Sequence, residues 1–337
     1  MGCDSPLKGW RDRDTGGITF RRERSFGEKM EVGCGQCLGC RLDYSRMWAM
    51  RIIHEAQLYQ YGYGNSFVTL TYRNRYDCSI KQLEEGLHVP SDWSLHERHM
   101  TLFLKKLRDK FDDREIRYFY AGEYGRMCKH GIDVNAVGCP ICNHGRPHFH
   151  ACLFNVQFPD LEAYETDGGI TRHTSPMLEK LWGYGFVDVG ELNYQTAGYA
   201  AKYCLKKMNG VAAEEFYETL DEDGNRTFIQ PEFVRMSRGN ASHKGKSCGI
   251  GAAWLERYGG DVFPSDEVPV PGHGVQKGVP RYYDKILEKE NPELYEDIKK
   301  KRRDHMNANK EEFTHQRLMA KHKVKKARVE MFKKDKL

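Results

Sequence analysis

Apolar positions recur at two periods along the chain, and the switches between them lay out the elements. Over residues 42–59, Trp48, Ile52, Ile53, Ala56 and Leu58 fall at roughly helical spacing, which predicts an amphipathic helix ended by Gly62 and Gly64. Residues 66–72, Ser-Phe-Val-Thr-Leu-Thr-Tyr, are β-branched and aromatic, the composition of a strand. Ser94 with Glu97 three residues later has the form of a capping box, and Met100, Phe103, Leu104, Leu107 and Phe111 follow on one helical face. Residues 116–123 and 146–154 predict two more strands, residues 186–189 a short one, and residues 194–208 a helix carrying Tyr199 and Tyr203. Residues 1–30 are polar and Arg-rich, with only Ile18, Thr19 and Phe20 as a short strand candidate.

The order is strand, helix, strand, insertion, strand, irregular stretch, strand, helix. The connection between Glu123 and His148 is too short for a crossover helix, so those two strands are expected to pair antiparallel. The expected fold class is α+β, an antiparallel sheet with helices packed on one face. Four segments are expected: an N-terminal stretch with a cysteine knuckle and helix (1–60), a core (61–213) holding a Cys/His insertion (126–145), a Gly- and Pro-rich irregular extension (214–285), and a basic helical tail (286–337).

Composition sets the class. With 337 residues, 39% of them hydrophobic, the chain can bury a real core in one large domain or two. A mean hydropathy of -0.74 and the lack of any apolar run of membrane-spanning length predict a protein with no membrane association. The N-terminus has no apolar signal region, and Pro6 breaks a myristoylation signal, so the expected location is cytoplasm. Net charge is +5, unevenly distributed: residues 298–337 hold 15 Lys and Arg against 5 Asp and Glu, leaving the rest at −5. A basic tail on an acidic body fits a grip on a polyanion, through residues such as Arg302, Arg303, Lys325 and Lys326; a solvated helix face is the other reading.

The candidate chemistry begins at His148 and His150. Side chains alternate along a strand, so both imidazoles project to one side while Phe149 points to the other. Two neutral imidazoles suit a divalent metal, although a surface strand can carry two histidines without one. On the helix, Tyr199 and Tyr203 are four apart and address a single site, each with a lysine three residues later, Lys202 and Lys206. A phenol attacking a phosphodiester needs its proton removed or its charge stabilised, which a nearby basic residue helps, whereas helix tyrosines more often pack. Antiparallel pairing would bring Glu123 beside the histidines as a hard oxygen ligand, leaving open positions for Mg²⁺ or Mn²⁺ to hold a phosphate oxygen.

The 11 cysteines cluster instead of spreading as a disulfide framework would. Cys128, His130, Cys139, Cys142 and His144 offer five soft ligands where tetrahedral Zn²⁺ needs four. Cys34, Cys37 and Cys40 form a second candidate zinc knuckle whose fourth ligand is open, Cys3 being one candidate. Residues 239–247 resemble a P-loop, but the glycines are one residue too far apart, which argues against an ATPase; Lys244 and Lys246 remain candidates for DNA phosphate contact.

Taken in order, the segments 34–41, 67–72, 148–150, the Tyr199/Tyr203 helix, 236–238, 249–251 and 280–283 resemble the HUH endonucleases that initiate rolling-circle replication. The likeness is to the initiators of small single-stranded-DNA microviruses of the gokushovirus branch, and it covers most of the chain. It implies a five-stranded antiparallel sheet flanked by helices. It also implies a metal-assisted nick of single-stranded origin DNA, a tyrosine joined to the 5′-phosphate, and a free 3′-hydroxyl. Under it, Tyr199 and Tyr203 match the paired nucleophiles and His148 and His150 the metal ligands, with Glu123 assigned by analogy. A host helicase and polymerase, in the cytoplasm of a bacterial host, would be the partners of such a viral protein. The alternative is a non-catalytic, zinc-stabilised nucleic-acid-binding protein.

Overall fold

A computed structural model describes residues 2–134, 136–137, 139, 142, 144–167, 170–202, 211–221, 224–238 and 249–334. Tyr203, Lys206, Lys244 and Lys246 lie outside the described residues. In chain order the elements begin with β1 (Leu7–Asp12), β2 (Ile18–Thr19), β3 (Ser25–Val32), α1 (Leu38–Gln57), β4 (Asn65–Tyr72), α2 (Ile80–Glu84), α3 (Glu97–Lys110), β5 (Arg117–Tyr124) and β6 (Pro147–Phe154). They continue with β7 (Glu162–Asp167), β8 (Ile170–Thr174), α4 (Pro176–Trp182), β9 (Gly185–Gly190), α5 (Tyr194–Lys202), α6 (Val211–Tyr217), β10 (Glu218–Leu220), β11 (Arg226–Phe228) and β12 (Phe233–Met236). The last are α7 (Ala252–Val262), β13 (Glu267–Val270), β14 (Gly274–Lys277), α8 (Arg281–Glu290), α9 (Pro292–Ala308) and α10 (His315–Lys334). The chain divides into two units, residues 1–47 with 284–337, and residues 48–283.

The larger unit is built on an antiparallel sheet in the order β12-β5-β6-β4-β9-β8-β7. It has seven strands where five were expected. The β7–β8 hairpin extends one edge and β12 the other, and neither carries the apolar alternation that marks a strand in sequence. Along β4, Val68, Leu70 and Tyr72 alternate with half-buried residues, so one face of the sheet is fixed as core. Phe149, Ala151 and Leu153 of β6, with Val187 and Val189 of β9, continue that face. Met100, Phe103, Leu104 and Leu107 of α3 and Leu178 and Trp182 of α4 close over it.

Both helices over the core face have local stops. Ser175 accepts a hydrogen bond from the Leu178 amide at the start of α4, Pro176 follows at its first position, and Gly183 ends it at φ 78°. The capping box expected at Ser94 does not form. His96 takes the N-cap position of α3 without a side-chain capping bond, and Ser94 Oγ accepts instead from the amide of Gln230 at 2.8 Å.

Helices cover both faces of the sheet, where one was expected. The opposite face presents Phe119 and Cys152 as well as the histidines, and this apolar surface also needs cover. Trp48 of α1 lies 5.0 Å from the Phe119 ring, and α5 packs its Ala197, Ala200 and Ala201 side inward nearby. Buried Glu55 of α1 meets buried Arg117 of β5 at 2.8 Å.

Residues 214–285, expected to be irregular, contain most of α6, β10–β12, α7, the β13–β14 hairpin and the first turn of α8. Two of the motifs that carried the family resemblance are structural here. The Gly251 amide donates to Glu55 Oε2 at 2.7 Å, and a Cβ on Gly251, which sits at φ 81°, would run into the Tyr283 hydroxyl. His54 stacks on Trp254 with ring centroids 3.5 Å apart, and its ring nitrogens meet Tyr283 Oη at 2.8 Å and the Pro269 carbonyl at 2.9 Å.

The smaller unit holds a three-stranded antiparallel sheet, β2-β1-β3, in the stretch that showed no clear periodicity. Its strands are short and largely exposed, so no buried face imposes an alternation on them. The basic tail is helical as expected, in α9 and α10 with most of α8 preceding them.

Candidate functional site: a His-His-Glu cluster beside Tyr199

Pairing of β5 with β6 sets Glu123 directly opposite His148 and Ala121 opposite His150. Directly opposed residues of antiparallel strands share a face, so three donors converge by register alone. His148 Nε2 lies 3.1 Å from His150 Nε2. Glu123 Oε1 is 3.6 Å from the first and Oε2 3.8 Å from the second. Glu123 and His150 are buried and His148 is half-buried.

Outer contacts orient the imidazoles. His148 Nδ1 donates to the Arg146 carbonyl at 3.1 Å, which leaves its Nε2 lone pair toward Glu123. Thr69 Oγ1 of β4 is 3.0 Å from His150 Nδ1 and can accept the proton there, turning the second Nε2 the same way. Two imidazole lone pairs and a carboxylate at these distances require a proton or a cation among them. A carboxylate oxygen with two imidazoles is a fitting donor set for a divalent ion that keeps open positions. Thr69 was not singled out in the sequence; its side-chain parity within 66–72 is legible, but its pairing with His150 is not.

Asn193 starts α5 by accepting from the amides of Gln195 and Thr196, each at 3.0 Å, and this fixes where the tyrosine face begins. Tyr199 then stands edge-on to His150, ring centroids 4.9 Å apart, and 6.3 Å from Phe67. It is 36% exposed, so one edge rests on the metal-ligand candidate while the other reaches solvent. Lys202 is exposed at the end of α5.

Two further clusters of metal-ligating side chains are built from other residues. In the 126–145 insertion, His130 Nδ1 is 3.9 Å from Cys128 Sγ, 3.4 Å from Cys139 Sγ and 3.5 Å from Cys142 Sγ, a four-donor set that can hold a metal. His144 is not part of it: both its ring nitrogens are buried without hydrogen-bond partners among Tyr124, Phe216 and Tyr217, and burial lowers its pKa to about 4. The insertion is pinched onto the β5–β6 hairpin, since Gly125 N donates to Arg146 O at 2.9 Å and a Cβ on Gly145 would strike the Gly125 carbonyl.

In the smaller unit Cys3 joins Cys34, Cys37 and Cys40, its Sγ 3.7 Å from that of Cys34 and 3.8 Å from that of Cys37. Burial pushes the Cys37 thiol up, but amide donation from Asp4 at 3.1 Å and from Cys40 at 3.4 Å outweighs it and brings the pKa to about 6, favouring the thiolate a metal needs. Asp4 also accepts from Lys325 Nζ at 2.7 Å, while Arg302 forms a two-pronged pair with Asp284 at 2.8 and 2.9 Å. Of the four tail candidates for DNA contact, these two serve intramolecular pairs; Arg303 and Lys326 are exposed, Lys326 with Glu330 at 4.0 Å one turn on.

No helix among the described residues is long and apolar enough to cross a membrane. Residues 65–208, which include all three donors and Tyr199, match the family described as replication-associated protein ORF2/G2P. The chain is 32% identical over 282 residues to replication-associated protein ORF2 of Spiroplasma virus 4, covering 81% of this chain and 73% of that protein. It is 28% identical over 306 residues to replication-associated protein VP4 of Bdellovibrio phage phiMH2K, covering 88% and 80%. With replication-associated protein ORF4 of Chlamydia phage 1 the identity is 25% over 267 residues, covering 76% and 53%. No solved structure matches the chain. Similarity to such proteins across most of the chain establishes that it belongs to the replication-associated proteins of small phages, in the microvirus, gokushovirus-like group.

Proposed function

We propose that this chain is a rolling-circle replication initiator of the HUH endonuclease class that nicks and rejoins single-stranded origin DNA. The observation that carries the reading is the contact of Tyr199 with His150 within a Glu123–His148–His150 set whose donor atoms all lie within 4.8 Å of one another. Those three residues would hold Mg²⁺ or Mn²⁺, which when bound draws charge from the scissile phosphate. Tyr199 supplies the nucleophile: its phenolic oxygen bonds to phosphorus as the bond from phosphorus to the 3′-oxygen breaks. The 3′-oxygen takes up a proton and leaves as a free hydroxyl, and the 5′-phosphate stays on the tyrosine.

Lys202 offers a cation near the phenolate. By the family pattern Tyr203, with Lys206, is the partner nucleophile, and the two tyrosines alternate between cleaving and rejoining. The Cys3/Cys34/Cys37/Cys40 and Cys128/His130/Cys139/Cys142 sets are assigned structural Zn²⁺ and take no part in the transfer. In the bacterial cytoplasm a host polymerase would extend the freed 3′-hydroxyl while a host helicase separates the strands.

The test is incubation with single-stranded origin DNA and Mn²⁺ or Mg²⁺, followed by denaturing electrophoresis and mass spectrometry. A covalent 5′-phosphotyrosine adduct is expected, lost when Tyr199 and Tyr203 are both changed to Phe. An adduct that persists in that double variant overturns the tyrosine assignment. Tight binding by the unaltered protein with no adduct would favour the non-catalytic nucleic-acid-binding reading.

A further inference from the structure

Thr71 of β4 is paired on one side with His148 and on the other with Phe186 of β9. Glu123, His148, Thr71 and Phe186 therefore form one cross-strand row on a single face, with Phe186 two strand spacings, about 10 Å, from His148. α5 crosses the neighbouring row, where Tyr199 touches His150 and Phe67. At the Phe186 end the row is open, and this phenyl ring is 54% exposed.

A single exposed aromatic is common on protein surfaces and means little alone. Two features set this one apart. The Arg73 guanidinium, two residues beyond Thr71, stands 5.8 Å from the ring centroid, and its Nε is buried with no hydrogen-bond partner. Gly185 brings β9 so close to β4 that a Cβ there would strike the Thr71 carbonyl, so Phe186 is held on a rigid strand. Asp188 follows on the same face of β9, its carboxyl raised above the ordinary range by burial and lowered again in part by Arg172. A flat ring between a cation and a carboxyl offers a base both a stacking surface and polar neighbours, whereas a phosphate at that position would face the carboxyl.

We propose that Phe186, with Arg73 beside it, is a stacking subsite for one base of the single-stranded DNA strand whose phosphate lies at Glu123, His148 and His150. The proposal rests on the DNA-nicking reading for the identity of the strand. Its test uses binding without cleavage, so the two can fail separately.

The experiment measures fluorescence anisotropy of the full chain, without added Mg²⁺ or Mn²⁺, with a labelled oligodeoxythymidine and with an abasic oligonucleotide of equal length. Phe186→Ala is expected to weaken binding of the thymidine oligomer about tenfold and to leave the abasic one unchanged. Phe186→Trp is expected to restore or exceed the original affinity. Arg73→Gln should weaken both oligomers and reduce the salt slope by about one. An equal loss on both oligomers in Phe186→Ala, no loss on either, or failure of Phe186→Trp to rescue would overturn the proposal. Thermal melting serves as control: a drop of more than a few degrees in Phe186→Ala would assign the ring to packing and also overturn it. Loss of base-dependent binding in a protein that forms no covalent adduct would uphold the subsite and reject the nicking chemistry.

Discussion

Thr69 is the sharpest single probe of the histidine cluster, because its hydroxyl touches His150 Nδ1 at 3.0 Å on the side away from Glu123. Thr69→Val replaces that hydroxyl with a methyl of nearly the same volume, so no cavity is opened and the strand keeps its β-branched residue. His150 is only 4% exposed, and its Nδ1 would lose its polar contact in a place water hardly reaches. Leaving such a group unpaired costs about 1–3 kcal/mol. Carried into ion binding, that is a loss of about 5- to 150-fold, which brackets the roughly 10- to 100-fold typical when a residue orienting a metal-bound histidine is removed. The assay is Mn²⁺ titration by calorimetry on protein whose cysteine sites are already zinc-loaded. Thr69→Ser, which keeps the hydroxyl, should return affinity close to the original. Mn²⁺ affinity within twofold of the original in Thr69→Val, or a serine variant as weak as the valine, would refute the role given to this contact.

Two further outcomes concern stability. The His54 ring, buried against Trp254 with its Nε2–H on the Pro269 carbonyl, has its pKa lowered to about 4 by burial. A depressed folded-state pKa means the unfolded chain binds the proton first. Stability is thus full above the ordinary histidine value near 6.5 and falls as pH drops toward 4, by about 3 kcal/mol in all. Urea melts between pH 7 and pH 4.5 should show a shallower decline for His54→Gln than for the original, and parallel declines would count against the assignment. In the smaller unit, Asp4 links the Cys37 thiolate to Lys325 and His322 of α10, at 3.1, 2.7 and 3.0 Å. Cys37→Ser or chelation should therefore expose the basic residues of α10 to trypsin, and an unchanged digestion pattern would show that the cluster does not hold the helix.

How far the chain could be read before folding follows from the range of each signal. Side-chain alternation and helical spacing are local. His148 and His150 on one side of a strand, the core face of α3, and the Tyr199 face of α5 were all legible from a dozen residues each. The antiparallel pairing that brings Glu123 opposite His148 was also within reach, because the short connection left few alternatives. Strands β7, β8 and β12 were not, since strands toward an exposed sheet edge carry no strict alternation; they bring the four strands legible in sequence to seven, where the family resemblance implied five.

What only the tertiary structure decided are choices among distant partners. Five soft donors in 128–144 became four because His144 turns into an aromatic pocket while His130 faces the thiols. Cys3 completes a cluster with residues more than thirty positions away, and Gly39 allows it by giving the Gly2 backbone room to approach. Phe186 stands in the row of Glu123 and His148 through two successive strand registers, which no local pattern encodes. Periodicity determines which way a side chain points along its own strand or helix; which neighbour it meets there is set by long-range packing, where burial, register and backbone clearance must all be satisfied together.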